Sequence, residues 1–166
     1  MAQGALAEAA AQAAELAEQG KERELSELRR QWQDEVEGAA RSQDFRERAL
    51  AYRAIGQFRW RQKTELLQRG LEDDSPACRG SALISIELLS RDHPGLVNSL
   101  RARLHQLLNS DGNDAVRRLA AVSLANGSPQ RETIVLLEHL AQDDEQPAEL
   151  RQVAARVAQT LKRKSR

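Results

Sequence analysis

The chain has 166 residues, with 25 Lys and Arg balanced by 25 Asp and Glu, 40% hydrophobic residues and 3% aromatics. That length is enough for one continuous core. The charge balance leaves no overall field to draw the chain to nucleic acid or to an anionic membrane.

The apolar runs, such as SALISI at 81–86, are too short and too polar to span a bilayer. The opening MAQGALAEAA has no basic stretch before an apolar core, so it reads as helix and not as a secretory signal. The single cysteine excludes an internal disulfide framework, and the expected compartment is a reducing cytoplasm. Leu, Ala, Glu, Arg and Gln dominate while β-branched residues are sparse, which predicts an all-α protein.

Taken in chain order, the first predicted helices cover 4–18 and 21–37. Leu25, Leu28, Trp32 and Val36 form one apolar stripe on the second. Residues 1–40 are expected to cap or protrude from a main body at 41–166, the two forming one continuous domain. Further helices are predicted over 42–56, 59–71, 76–90, 95–108, 114–125, 129–141 and 147–162. Ser75-Pro76 and Ser128-Pro129 read as N-caps followed by proline at the first helical position. Breaks are expected at 92–95, 109–113 and 126–127, where Gly, Pro, Asn and Asp gather.

A repeat runs through this series. An apolar residue, Arg, two residues and Ala recur at Phe45-Arg46, Cys78-Arg79, Val116-Arg117 and Leu150-Arg151, the arginines 33, 38 and 34 residues apart. The unit is helix, turn, helix, about 35 residues long. Neither helix of such a pair can bury its face alone, so successive pairs must stack.

The pattern resembles HEAT repeats and their bacterial HEAT-like relatives, over about residues 42–163. The stretch DGNDAVRRLAAVSLANG (111–127) matches best. In that family the second helix often opens with Asp, then Val-Arg and an Ala-rich face. The resemblance implies a short right-handed α-solenoid of stacked antiparallel helix pairs. It also implies a ladder in which a turn aspartate pairs with the arginine of the second helix. Asp73 or Asp74 would then serve Arg79, Asp111 or Asp114 would serve Arg117, and Asp143 or Asp144 would serve Arg151. Of these, Asp74, Asp114 and Asp144 are the expected acceptors. A partly buried guanidinium needs such groups, and its planar fork suits carboxylates and carbonyls.

Little in the chain points to catalysis. His93, His105 and His139 are scattered, without paired ligands at helical spacing, and one cysteine cannot complete a zinc site. Cys78 stands in the repeat's apolar slot and reads as core. There is no phosphate-binding glycine loop, and the acidic clusters at 72–74 and 142–145 fall in turns, where they serve as caps. No catalytic residue, metal or cofactor is expected.

The most distinctive surface is basic. Between 41 and 69 eight cations, Arg41, Arg46, Arg48, Arg53, Arg59, Arg61, Lys63 and Arg69, face three carboxylates, with Tyr52, Phe58 and Trp60 among them. The favoured reading of this stretch is packing, with Phe58 and Trp60 filling the joint between repeats and long arginines covering helix stems. If it serves as a binding surface instead, Arg53, Arg59, Trp60, Arg61 and Lys63 form it. The leading expectation is a noncatalytic scaffold that binds a protein partner on the concave face of the second helices. The alternative is nucleic-acid binding by the basic stretch and the tail LKRKSR (161–166), as HEAT-like glycosylases for alkylated bases hold DNA on a basic face. A third reading, a lyase or cofactor-attachment helper like the bilin lyase relatives, needs a hydrophobic groove that 3% aromatics hardly line.

Overall fold

The computed structural model describes residues 2–166, with side chains from residue 4 onward. Among the described residues it is all-helical, without a strand, and no helix is long and apolar enough to cross a membrane. The chain forms two compact units, 1–89 and 90–166.

The first unit opens with α1 (Ala2–Glu18) and α2 (Glu22–Ala40). Leu6, Ala9, Ala10 and Ala13 give α1 a stripe at three- and four-residue spacing, and all four are buried. The stripe packs on α2 and on α3 (Phe45–Gln57). Leu25, Leu28, Val36 and Ala40 are the buried side of α2, which also packs on α3. The first forty residues are thus bound to the helix that follows them.

A helix predicted over 59–71 begins only at Thr64, as α4 (Thr64–Leu71), after a 3-10 turn at Arg61–Lys63. Burial of two aromatics explains the delay. Phe58 and Trp60 are 0% and 5% exposed, with ring centroids 5.5 Å apart. Turning both inward puts the intervening Arg59 at φ 53, the left-handed region that costs a non-glycine residue roughly 1 kcal/mol. The side chain of Arg29 on α2 closes the end of α3, its Nε donating to the Phe58 carbonyl at 2.7 Å and its Nη2 to that of Arg59 at 3.1 Å.

The last helix of this unit, α5 (Pro76–Ser90), starts at the proline that the sequence marks as its first residue. It meets α3 through small residues. A Cβ on Gly56 would lie 2.6 Å from Ser85 Oγ, and the Gly56 N–H donates to that oxygen at 3.0 Å.

The second unit holds α6 (Pro94–Ser110), α7 (Asp114–Leu124), α8 (Arg131–Gln142) and α9 (Ala148–Lys164). Here α6 packs on α7, α8 on α9, and α7 on α9. Two helix hairpins therefore lie side by side through their second helices. Leu104, Leu108, Leu124, Leu137, Leu150 and Leu161 are all at most 1% exposed, each contributing about 2 kcal/mol of burial. Asn113 caps α7, its side chain accepting the Val116 N–H at 3.1 Å.

Ser128-Pro129 does not open α8, which begins two residues later. Polar groups of α6, the exposed Asn98 and the buried Arg101, claim Ser128 instead. Its N–H donates to Asn98 Oδ1 at 2.9 Å, and its carbonyl accepts from Arg101 Nη2 at 3.0 Å.

Candidate functional site

Counting from the helix starts, Arg48, Arg79, Arg117 and Arg151 each occupy the fourth position of α3, α5, α7 and α9. The alanine three residues on, Ala51, Ala82, Ala120 or Ala154, is 0% exposed in every case. The first arginine of the series is therefore Arg48 and not Arg46. Phe45, which imitates the apolar slot in sequence, is 47% exposed. Arg46 lies on the surface against the N-cap Asp44, at 3.2 Å.

A second recurrence accompanies the arginines. Before each of these helices a side-chain oxygen accepts the N–H two residues ahead: Ser42 from Asp44, Asp73 from Ser75, Asp111 from Asn113, and Asp143 from Glu145, at 2.9–3.1 Å. Such turns hold the backbone carbonyls of the segment in fixed directions. Three of the arginines use carbonyls in or beside these turns, and Arg117 uses one in the last turn of α6. Arg48 Nη1 donates to Ser42 and Gln43, Arg79 Nη1 to Asp73 and Asp74, Arg117 Nε to Leu108, and Arg151 Nε to Gln146.

Two arginines also reach forward to the turn of the following helix pair. Arg48 forms a bidentate pair with Asp73, Nε to Oδ2 at 2.8 Å and Nη2 to Oδ1 at 3.0 Å. Arg117 Nη2 donates to Gln146 Oε1 at 2.9 Å. Of the acceptors that the resemblance implies, Asp114 and Asp144 do form ion pairs with Arg117 and Arg151, but the shorter hydrogen bonds go elsewhere. Asp74 offers Arg79 its carbonyl, at 3.1 Å. Asp114 stands 3.7 Å from Arg117 on the same helix. Asp144, almost fully exposed, is also 3.7 Å from Arg151. Carboxylates that exposed stay hydrated, and the guanidinium turns to the nearer oxygens. Hydrogen bonding from Arg48 holds the Asp73 carboxyl below its ordinary range, against a smaller opposing effect of burial.

The expected basic surface is distributed differently. Trp60 is core, and Lys63 lies over its ring at 4.6 Å while pairing with Glu37. Arg59 turns back on its own helix, its Nη1 donating to the Gly56 carbonyl at 2.9 Å. Arg53 is half-buried, and burial together with the charge of Arg59 pulls its pKa down. Arg61 alone of the five is exposed. A base cannot stack on a ring already covered by protein, so interleaved aromatics here signal packing.

Cys78 is fully buried, its thiol donating to the Phe45 carbonyl at 3.2 Å and pushed up in pKa by burial. His105 Nε2 lies 2.9 Å from Thr133 Oγ1. Among the described residues no three His, Cys, Asp or Glu side chains converge as a metal site would require.

Besides Val135 on α8, which is 56% exposed, two surfaces have apolar character. In the first unit a groove of about 420 Å3 runs between α1, α2 and α3, lined by Leu6, Trp32, Ala39 and Leu50 with Glu35 and Glu47. In the second unit Arg118, Leu119 and Val122 make one stripe of α7, and Glu149, Val153 and Arg156 one stripe of α9. Leu119, Val122 and Val153 are half-exposed. The Arg118–Glu149 ion pair at 3.2 Å joins the two stripes.

Compared with known proteins, the chain matches no family model and no curated protein.

Proposed function

We propose that the protein is a noncatalytic scaffold, a short HEAT-like solenoid that holds a protein partner on the face made by its second helices. The observation that carries this reading is the stripe of Leu119, Val122 and Val153 in the second unit. Three apolar side chains stay half-exposed where α7 and α9 run together, flanked by Arg118, Glu149 and Arg156. Apolar centres with a charged margin suit protein recognition, the first supplying binding energy and the second orientation. The recurring arginines support the same reading, since their hydrogen bonds go to the turns of the helix pairs. Nucleic acid takes second place, because Trp60 and Lys63 are both engaged within the fold.

The test uses affinity capture from the native source with the wild-type chain and with Leu119→Asp/Val122→Asp. Both positions are partly solvated, so the variant should keep its cooperative melting transition. A partner retained by the wild type and lost by the folded variant is the expected result. A partner held equally by both would remove this face from consideration.

A further inference from the structure

A polar pocket of about 390 Å3 opens where the end of α2, the first turns of α3 and the end of α4 meet. Its lining belongs wholly to the first unit, shares no residue with the face of α7 and α9, and the inference does not rest on the scaffold reading. The Arg48–Asp73 pair stands in its wall, and Tyr52 lines it from α3. Tyr52 is 3% exposed, yet its hydroxyl has no hydrogen-bond partner among the described residues. A phenol that is buried elsewhere keeps its hydroxyl wet only if that end faces a cavity, and a polar tip of this kind ordinarily finds a partner.

The ring itself is fixed. A Cβ on Gly70 would come within 3.2 Å of both its Cδ atoms and 2.8 Å of Ala82 Cβ, so the absence of a side chain at 70 lets the ring seat there. Burial pushes the Tyr52 pKa up, which keeps the hydroxyl protonated and able to donate at neutral pH.

Charges at the rim come in two signs. Arg41 and Arg69 are exposed, and among the described residues neither pairs with a carboxylate. Glu72 and Asp74 are exposed on the same pocket, and no cation closes on their carboxylates. Asp73 is already committed to Arg48 and to the Ser75 N–H. Two cations and a phenol therefore face an incoming anionic group, while two carboxylates face a cationic one. A lone anion would meet Glu72 and Asp74; a lone cation would meet Arg41 and Arg69. The volume lies at the lower end of the range for small-molecule sites.

We propose that this pocket binds a small zwitterion of the α-amino-acid type. Its carboxylate takes the Tyr52 hydroxyl and the guanidinium of Arg69 or Arg41, and its ammonium faces Asp74 and Glu72. The binding is noncovalent.

The experiment is a two-dimensional amide NMR titration of the full chain with each of the twenty L-α-amino acids, up to about 10 mM, tenfold above a millimolar affinity. At least one should shift the amides around Arg41, Tyr52 and Arg69 saturably. Its N-acetyl and carboxamide derivatives, each keeping one charge, should bind at least about tenfold more weakly. Tyr52→Phe removes only the hydroxyl and keeps the ring, so it should fold and yet weaken binding about tenfold; Arg69→Gln, at an exposed position, should act likewise. No saturable shift with any of the twenty would overturn the proposal. Equal binding of the N-acetyl derivative, or undiminished binding by Tyr52→Phe, would overturn it as well.

Discussion

Arg48 in the first unit and Arg117 in the second stand at the same place in their helices but meet different chemistry. Arg48 grips a carboxylate, Asp73, whose side chain is 8% exposed, through two charge-assisted hydrogen bonds. Arg117 finds a neutral amide, Gln146, and the carbonyl of Leu108. The position demands a long, planar, multiply donating side chain; it does not demand an acid opposite. What recurs is the geometry of the turn, with its fixed carbonyls, and the fourth-position arginine that reads it. The acceptor in the next pair is free to be charged or neutral, and the energetic cost of losing the arginine should follow that choice.

The largest effect is expected from Arg48→Ala, which strands a buried carboxylate. Breaking one side of a buried ion pair costs 3–5 kcal/mol, and with Arg48 partly exposed about 3 kcal/mol is expected, read by urea unfolding. A loss below about 1 kcal/mol would reduce the Arg48–Asp73 pair to a surface contact.

Acid should separate the two sites as well. Asp73 has a depressed pKa in the folded protein, so its stabilisation is fully present above the ordinary aspartate pKa of about 4. It is lost as pH falls through the depressed folded value. Unfolding measured from pH 7 down to pH 2 should show a steeper acid limb for wild type than for Arg48→Ala. The neutral Gln146 gives Arg117→Ala no such difference, and its acid limb should parallel the wild-type curve. If Arg48→Ala kept the full wild-type limb, Asp73 would not be its source.

Arg117→Ala should come next in size. It leaves the Leu108 carbonyl and the Gln146 amide oxygen without a donor. The one carboxylate it frees, Asp114, is exposed and hydrated, so a cost of about 1–2 kcal/mol is expected. The smallest effect belongs to its neighbour. Arg118 pairs with a largely exposed Glu149, so Arg118→Ala should cost less than about 1 kcal/mol. Equal losses at 117 and 118 would erase the distinction between a turn-reading arginine and a surface one.

Much of the helical layout was legible in sequence because composition, periodicity and Pro or Asn punctuation agree there. Predicted and observed helices differ mainly by a few residues at their ends. The failures have local causes. Phe45 looks apolar in sequence, so it draws the repeat onto Arg46; the Asp44 cap sets the helix start and makes Arg48 the equivalent residue. Counting four positions from a capping residue would have found it. The acceptors Asp73 and Gln146 lie in the following turn, and neither charge nor spacing within one unit points to them.

Trp60 takes the packing role favoured for it, while Lys63, offered as a surface cation, is held within the fold. Alternating cations and aromatics resemble a nucleic-acid surface, but the pattern cannot tell a ring that faces solvent from one packed against Phe58. The Tyr52 pocket was illegible for a similar reason. Its walls come from three short segments between Ala40 and Asp74, and only folding brings an unpartnered hydroxyl to two unpaired arginines.

The most direct measurement is a double-mutant cycle on Arg48 and Asp73, with Arg48→Ala, Asp73→Ala and the pair compared by urea unfolding. If the fourth-position arginine holds successive helix pairs together, the coupling energy should exceed about 1 kcal/mol, and the double variant should be less destabilised than the two single losses predict. Additive losses, with coupling within about 0.3 kcal/mol of zero, would contradict it and leave the recurring arginines without a structural role at this joint.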